Sequence, residues 1–126
     1  MYEIVVEGEF SATHQLTLAD GSVEPLHGHD WHVWVRLESS RLDAWGMVAD
    51  FMDVERALRA VLQELHHADL NGHAWFAGVN PTAEQVARVV FERMSAAAWT
   101  DKLRSVRVRE APGCTAAYTP RPASAS

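Results

Sequence analysis

The segment Tyr2-Glu3-Ile4-Val5-Val6-Glu7-Gly8-Glu9-Phe10 joins β-branched residues to a partial apolar–polar alternation, and this pattern predicts a strand. Pairing can extend into His14-Gln15-Leu16-Thr17-Leu18, ahead of the turn signal Asp20-Gly21. A period of two is clearest from His27 to Glu38. It puts His27, His29, Trp31, Val33, Val35 and Leu37 on one face, and Gly28, Asp30, His32, Trp34 and Arg36 on the other. Polar and aromatic residues on both faces suggest that one end of this strand lines a site. The plainer alternative is a central strand beneath a partner surface.

The period then changes to that of a helix. Phe51, Val54, Leu58, Val61, Leu62 and Leu65 form an apolar stripe over a helix from Phe51 to His66, with Asp50 as its cap and Asp53 in its first turn. Asn71-Gly72 reads as a break. A second helix follows Asn80-Pro81-Thr82, with Thr82 and Gln85 at capping-box spacing. Its buried face is Val86, Val89, Val90 and Met94, and helix propensity continues through Ala96-Ala97-Ala98. Leu103 to Glu110 reads as a half-buried strand, Pro112-Gly113 as a turn, and Ala116 to Thr119 as a short last strand. The order ββααββ predicts an α+β fold, an antiparallel sheet with two helices packed on one face. Residues 1–120 are expected to form one domain and 121–126 a flexible tail.

Composition narrows the classes of function. The 126 residues are 48% hydrophobic and 22% charged, a globular balance at single-domain length. Eleven basic against 17 acidic residues give a net charge of -6, which disfavours a nucleic-acid partner. A single cysteine excludes an intrachain disulfide and a thiolate zinc site, whereas seven histidines can supply imidazole ligands. No apolar run approaches the roughly 20 residues of a membrane span. No basic start followed by an apolar stretch suggests export, so the expectation is a cytoplasmic protein with no membrane partner.

His27-Gly28-His29 sets two imidazoles on one strand face, where they can converge on one ion, and His14 is the natural third ligand if the first hairpin folds back. Histidine pairs also occur as hydrogen-bonded surface groups. A three-histidine set favours zinc over magnesium or calcium, which prefer oxygen. His66-His67-Ala68-Asp69 offers imidazole beside carboxylate for acid–base work, or simply charge suited to a helix C-terminus. Glu110 ends its strand either as an acceptor for the N–H edge of a planar heterocycle or as a solvated strand end.

Together these segments resemble the 6-pyruvoyltetrahydropterin synthase and 6-carboxytetrahydropterin synthase family. The matching pieces run in order from Phe10-Ser11-Ala12-Thr13-His14 through His27-Gly28-His29, Gly46-Met47-Val48-Ala49-Asp50-Phe51 and His67-Ala68-Asp69-Leu70-Asn71. They continue with Asn80-Pro81-Thr82-Ala83-Glu84 and with Val108-Arg109-Glu110 followed by Tyr118. The resemblance implies the tunnelling fold, a homohexamer of two trimers with active sites between subunits, and a pterin substrate. It implies zinc on His14, His27 and His29, and Glu110 as the anchor of the pterin ring. Thr82, Ala83 and Glu84 are expected to shape the cleft, with Glu84 alternatively a surface carboxylate. The implied reaction begins with 7,8-dihydroneopterin triphosphate; in one branch it ends with 6-carboxy-5,6,7,8-tetrahydropterin and a two-carbon aldehyde.

The sequence departs from the family at the proton relay. Val23 stands where the family has a cysteine, and valine transfers no proton; Cys114 lies on a distant turn. His66 stands where an aspartate precedes the family's post-helix histidine. Three explanations compete: Glu24 replaces the cysteine, as glutamate does in some branches whose chemistry cleaves the pterin substituent; His66 or Asp69 tunes His67 in a modified relay; or the protein binds zinc and a pterin without standard activity. The standard reaction is placed ahead of a modified aldolase or lyase. A purely structural reading assigns Trp31, Trp34, Trp45, Trp75 and Trp99 to subunit contacts and the histidines to a metal staple.

Overall fold

The computed structural model describes residues 1–95 and 99–121. Four strands, β1 (Tyr2–His14), β2 (His27–Ser39), β3 (Leu103–Ala111) and β4 (Cys114–Tyr118), form one antiparallel sheet in the order β1-β2-β3-β4. Two helices, α1 (Phe51–Leu65) and α2 (Ala83–Met94), lie in the connection between β2 and β3 and pack α1 on β1 and α2 on β3 and β4. This is the α+β sheet-and-two-helix arrangement expected from the pattern.

The alternation in β2 sets the layers. Trp31, Val33, Val35 and Leu37 are buried against Val54, Leu58, Leu62 and Leu65 of α1 and Val86, Val90 and Met94 of α2. Phe10 of β1 and Trp31 stack with ring centroids 5.8 Å apart, and the Trp31 indole N–H donates to the Ala12 carbonyl at 3.3 Å, so the ring is buried without an orphaned donor. Gly8 marks the close approach of helix to sheet, since a Cβ there would meet Leu62 Cδ1 at 3.0 Å.

Several boundaries differ from the sequence expectations. β1 extends to His14, as allowed for, but not on to Leu18: residues 11–14 pair with β2 on one edge, while on the other His67 N–H donates to Ser11 O and Thr13 N–H to Ala68 O. The Asp20-Gly21 turn forms as expected, with Gly21 at φ +86° and a Thr17–Val23 bridge behind it. Phe51 does not join the buried stripe. It opens α1 at 51% exposure, while Val54 in the same turn is fully buried. α1 ends at Leu65, with His66 as its C-cap. The break expected at Asn71-Gly72 is a short 3-10 turn, Leu70–Gly72. At α2 the Thr82 hydroxyl accepts from Gln85 N–H, but Gln85 Oε1 is taken by Arg88 at 2.7 Å, so only half of the capping box is made. β4 begins at Cys114 rather than Ala116. The helix propensity read at Ala96-Ala97-Ala98 and most of the expected tail lie outside the described residues. No helix among the described residues is long and apolar enough to cross a membrane.

Candidate metal centre

The site forms at the end of the sheet where β1 stops and β2 starts. His14 pairs directly with His27 in the β1–β2 register, and His29 follows His27 on the same face. Their rings meet edge to face, with centroids 4.6 Å (His14–His27), 4.7 Å (His27–His29) and 5.2 Å (His14–His29) apart. Trp31, fully buried, forms the floor, 5.0 Å from the His14 ring. Glu110 arrives from β3 at a register shift between Arg109 and Ala111, a bulge that aims its carboxylate into the cluster. One ligand atom from each of His14, His27, His29 and Glu110 lies within 4.8 Å of the others.

Contacts behind the rings set which nitrogens face inward. A backbone carbonyl only accepts, so His14 Nδ1 carries a proton and donates to Pro81 O at 2.8 Å. His27 Nδ1 does the same toward Pro25 O, also at 2.8 Å. In the neutral rings Nε2 is then a bare lone pair. His14 Nε2 and His29 Nε2 each lie 2.9 Å from Glu110 Oε1, and His27 Nε2 lies 4.0 Å from it. Close as they are, these approaches lack hydrogen-bond geometry, and the buried His14 and His29 Nε2 atoms have no hydrogen-bond partner. Lone pairs aimed together at a carboxylate call for a cation between them. Burial, reinforced by His27 and His14 and opposed by Glu110, holds the His29 pKa below the usual imidazole value. Three imidazoles are a donor set for a divalent metal ion that leaves a coordination position open, with the Glu110 carboxylate beside it.

The remaining candidate residues divide between this cluster and the β1 edge. Glu24 belongs to the cluster's rim: its Oε1 accepts from Leu16 N–H at 3.0 Å and lies 3.7 Å from His27 Nε2. Val23 is 54% exposed and bridges to Thr17 instead. His67 and Asp69 border a cavity of about 530 Å³ with Ser11, Thr13, Asp30 and His29. His67 holds a left-handed backbone, φ 63°, where helix ends usually place glycine. His66 stacks on His67 at 3.7 Å, and its Nδ1 accepts from Ser11 N–H. Asp69 caps the following turn through Asn71 N–H.

Glu84 is the residue whose setting the sequence left open. It borders, with Glu110, Cys114 and Thr115, a cavity of about 360 Å³. Its signal was its place in the first turn of α2, two residues after the Thr82 cap. Cys114 is exposed there.

A family model described as 6-pyruvoyl tetrahydropterin synthase matches residues 3–121. The protein is 33% identical to a 6-carboxy-5,6,7,8-tetrahydropterin synthase of Synechocystis, over 96% of both sequences. It is 31% identical to a dihydroneopterin monophosphate aldolase of Pyrococcus furiosus, over 72% of its own length and 73% of the relative's. Among solved structures, 6-pyruvoyl tetrahydropterin synthase of Caenorhabditis elegans superposes with a TM-score of 0.82 at 24% identity, over 96% of this protein and 98% of that one. The Plasmodium vivax synthase, solved in a variant that replaces a glutamate named as its catalytic residue, gives 0.76 at 16% identity, over 93% and 96%. The sheet with two helices is therefore the tunnelling fold. On the family match and the near-complete overlap with its relatives, this protein is an enzyme belonging to the 6-pyruvoyl tetrahydropterin synthase family.

Proposed function

We propose that the protein is a zinc-dependent pterin-forming lyase, acting on 7,8-dihydroneopterin triphosphate in the manner of 6-carboxy-5,6,7,8-tetrahydropterin synthase. The observation that carries this reading is the convergence of the His14 and His29 Nε2 lone pairs, unpartnered and buried, with His27 beside them. Three converging imidazoles, two of them with tautomers fixed by Pro81 O and Pro25 O, suit zinc. When bound, zinc supplies a Lewis acid and a template that make the carbon- and oxygen-bound protons of the pterin substituent easier to remove.

The protein's own residues supply the rest. Glu24 sits at the rim as a carboxylate in the position to take a proton from the pterin substituent. The Leu16 amide orients it, and it is only partly shielded from water. His67 is the second proposed proton-transfer group, with the stacked His66 and neighbouring Asp69 as its orienters. Glu110 is the proposed pterin anchor, accepting N–H bonds from the guanidine-like edge of the ring; Glu84, on the same cavity wall, offers a second carboxylate. Trp31 closes the inner side of the cluster to water.

A second reading has its own support. A carboxylate at Glu24 also suits removal of a hydroxyl proton for carbon–carbon cleavage, the chemistry named for the 31%-identical Pyrococcus relative. The two are separated by their products. Elimination releases inorganic triphosphate, whereas aldol cleavage leaves the phosphate ester on the departing fragment. Substrate profiling of the zinc-loaded protein with mass detection is expected to give triphosphate and a two-carbon aldehyde from 7,8-dihydroneopterin triphosphate. A phosphorylated aldehyde as the sole fragment would move the assignment to the aldolase, and no turnover of the triphosphate or of 7,8-dihydroneopterin monophosphate would contradict both.

We also propose a cytoplasmic homohexamer. Both β1, ahead of Ser11, and β4 are sheet edges in the protomer, and open edges of this kind are covered by pairing with other copies. Light scattering that finds a stable monomer at micromolar concentration would contradict it.

A further inference from the structure

Beyond His14 the backbone loses its strand partner, yet it stays paired on both sides. On the outer edge the paired residues are alternate ones. Ser11 N–H is taken by His66 Nδ1, and Thr13 N–H by Ala68 O. The next two residues on that edge are held by asparagine amides. Asn71 Oδ1 accepts from Gln15 N–H at 2.9 Å while Asn71 Nδ2 donates to Gln15 O at 2.8 Å. Asn80 Oδ1 accepts from Thr17 N–H and Asn80 Nδ2 donates to Thr17 O, each at 3.0 Å. A backbone N–H only donates and a carbonyl only accepts, so both amide orientations are fixed by their partners. Each asparagine reproduces one rung of a β-ladder.

The opposite edge of the same segment faces Glu24. Glu24 N–H donates to Leu16 O at 3.0 Å, and Leu16 N–H donates to Glu24 Oε1 at 3.0 Å. Leu16 sits between the two clamped residues. Its amide, which orients the Glu24 carboxylate, is therefore held from the far side by Asn71 and Asn80. Both asparagine clamps are at exposed positions, where hydrogen bonds add little to global stability. Two bidentate clamps on one short segment suit a demand for position.

We propose that Asn71 and Asn80 are positioning residues that hold segment 15–17 so that Glu24 stays aimed at the metal cluster. The inference rests on the reading of Glu24 as a proton-transfer group. It adds a device from outside the cluster: the turn after α1 and the start of α2 set the geometry of the loop that carries the base. Neither asparagine touches the cluster, so their loss should leave the metal in place.

The test uses the full-length protein with Asn71→Asp and Asn80→Asp, which keep size and acceptor but lose the donor to the carbonyl; Asn80→Ala serves as an uncharged second variant. Zinc affinity, measured by chelator competition, is expected to stay within about twofold, because the ligands keep their own supports. Amide hydrogen exchange at Leu16 and Glu24 is expected to quicken about tenfold. With 7,8-dihydroneopterin triphosphate, kcat is expected to fall about ten- to a hundredfold at nearly constant KM, the size of effect a misplaced group produces. Added to Glu24→Gln, the same changes should lower turnover no further. Unchanged exchange at Leu16 and Glu24 would overturn the proposal. So would a fall in the Glu24→Gln background as large as in the parent, with Glu24→Gln itself impaired. Full turnover by Glu24→Gln alone would instead remove the reading of Glu24, and the positioning role with it.

Discussion

Glu24 Oε1 lies 3.7 Å from His27 Nε2, while the residue before it, Val23, faces solvent from the Thr17 bridge. If Glu24 serves in place of the family's cysteine, as proposed, the loop absorbs the one-residue offset between them. The antiparallel bridge turns position 23 outward, and the longer glutamate reaches back. Val23→Ala should therefore keep turnover within about twofold, as expected for a surface change remote from a network. Steady-state kinetics checks this, and a loss of tenfold or more would mean that position 23 still serves the chemistry.

The proposed metal ligands give a direct expectation. His27→Ala with His29→Ala should weaken zinc binding on the order of a hundredfold or more, since even changes behind the ligands of such sites cost about 10- to 100-fold. Metal analysis with chelator competition measures it. His14→Ala should in addition destabilise the fold, because this ring is fully buried and tied to Pro81. An effect of about 2–4 kcal/mol in denaturant unfolding is expected.

The zinc-site candidates were readable because β2 alternates cleanly: once His27 and His29 share a face with Trp31 and Val33, the strand register alone brings them together. His14 was less legible. Phe10-Ser11-Ala12-Thr13 alternates only weakly, through small residues, and the strand end is fixed by its pairing with β2 and by edge contacts from residues far along the sequence. Glu110 was found as a residue, but its approach to the histidines comes from a bulge, which depends on how β3 and β4 pair and has no local signature. Asn71 and Asn80 read as turn and helix-start residues; their grip on Gln15 and Thr17 appears only when segments 56 and 63 positions apart meet. Phe51 fitted the helical period yet is exposed, because periodicity tells direction around a helix and not whether a partner covers its first residue.

His67 carries a backbone cost. A left-handed conformation is unfavourable by roughly 1 kcal/mol for most residues and less so for asparagine. His67→Asn should leave unfolding stability unchanged or raised by about 0.5 kcal/mol, while turnover falls about a hundredfold, the scale of a lost acid–base group. Denaturant melts and kinetics on the same preparation decide it; a loss of stability without a loss of turnover would assign the residue to the fold alone.

Glu110 and Glu84 share a cavity, but only Glu110 touches the ring nitrogens. Glu110→Gln should therefore weaken both zinc and pterin binding, each by about tenfold or more, as expected for a charge-assisted contact. Glu84→Gln should raise KM and leave zinc affinity unaltered. Calorimetric zinc titration beside KM measurement separates the two; equal zinc affinity in the parent and the Glu110→Gln protein would contradict a place for Glu110 in the cluster.

The most direct test of the account is turnover of 7,8-dihydroneopterin triphosphate by the Glu24→Gln protein at equal zinc occupancy. Removing the base while keeping its shape should lower kcat by about 100- to 10,000-fold. Zinc content and pterin affinity should stay at parental values. Parental turnover by Glu24→Gln under those conditions would contradict the assignment of Glu24 and leave His67 as the leading proton-transfer group.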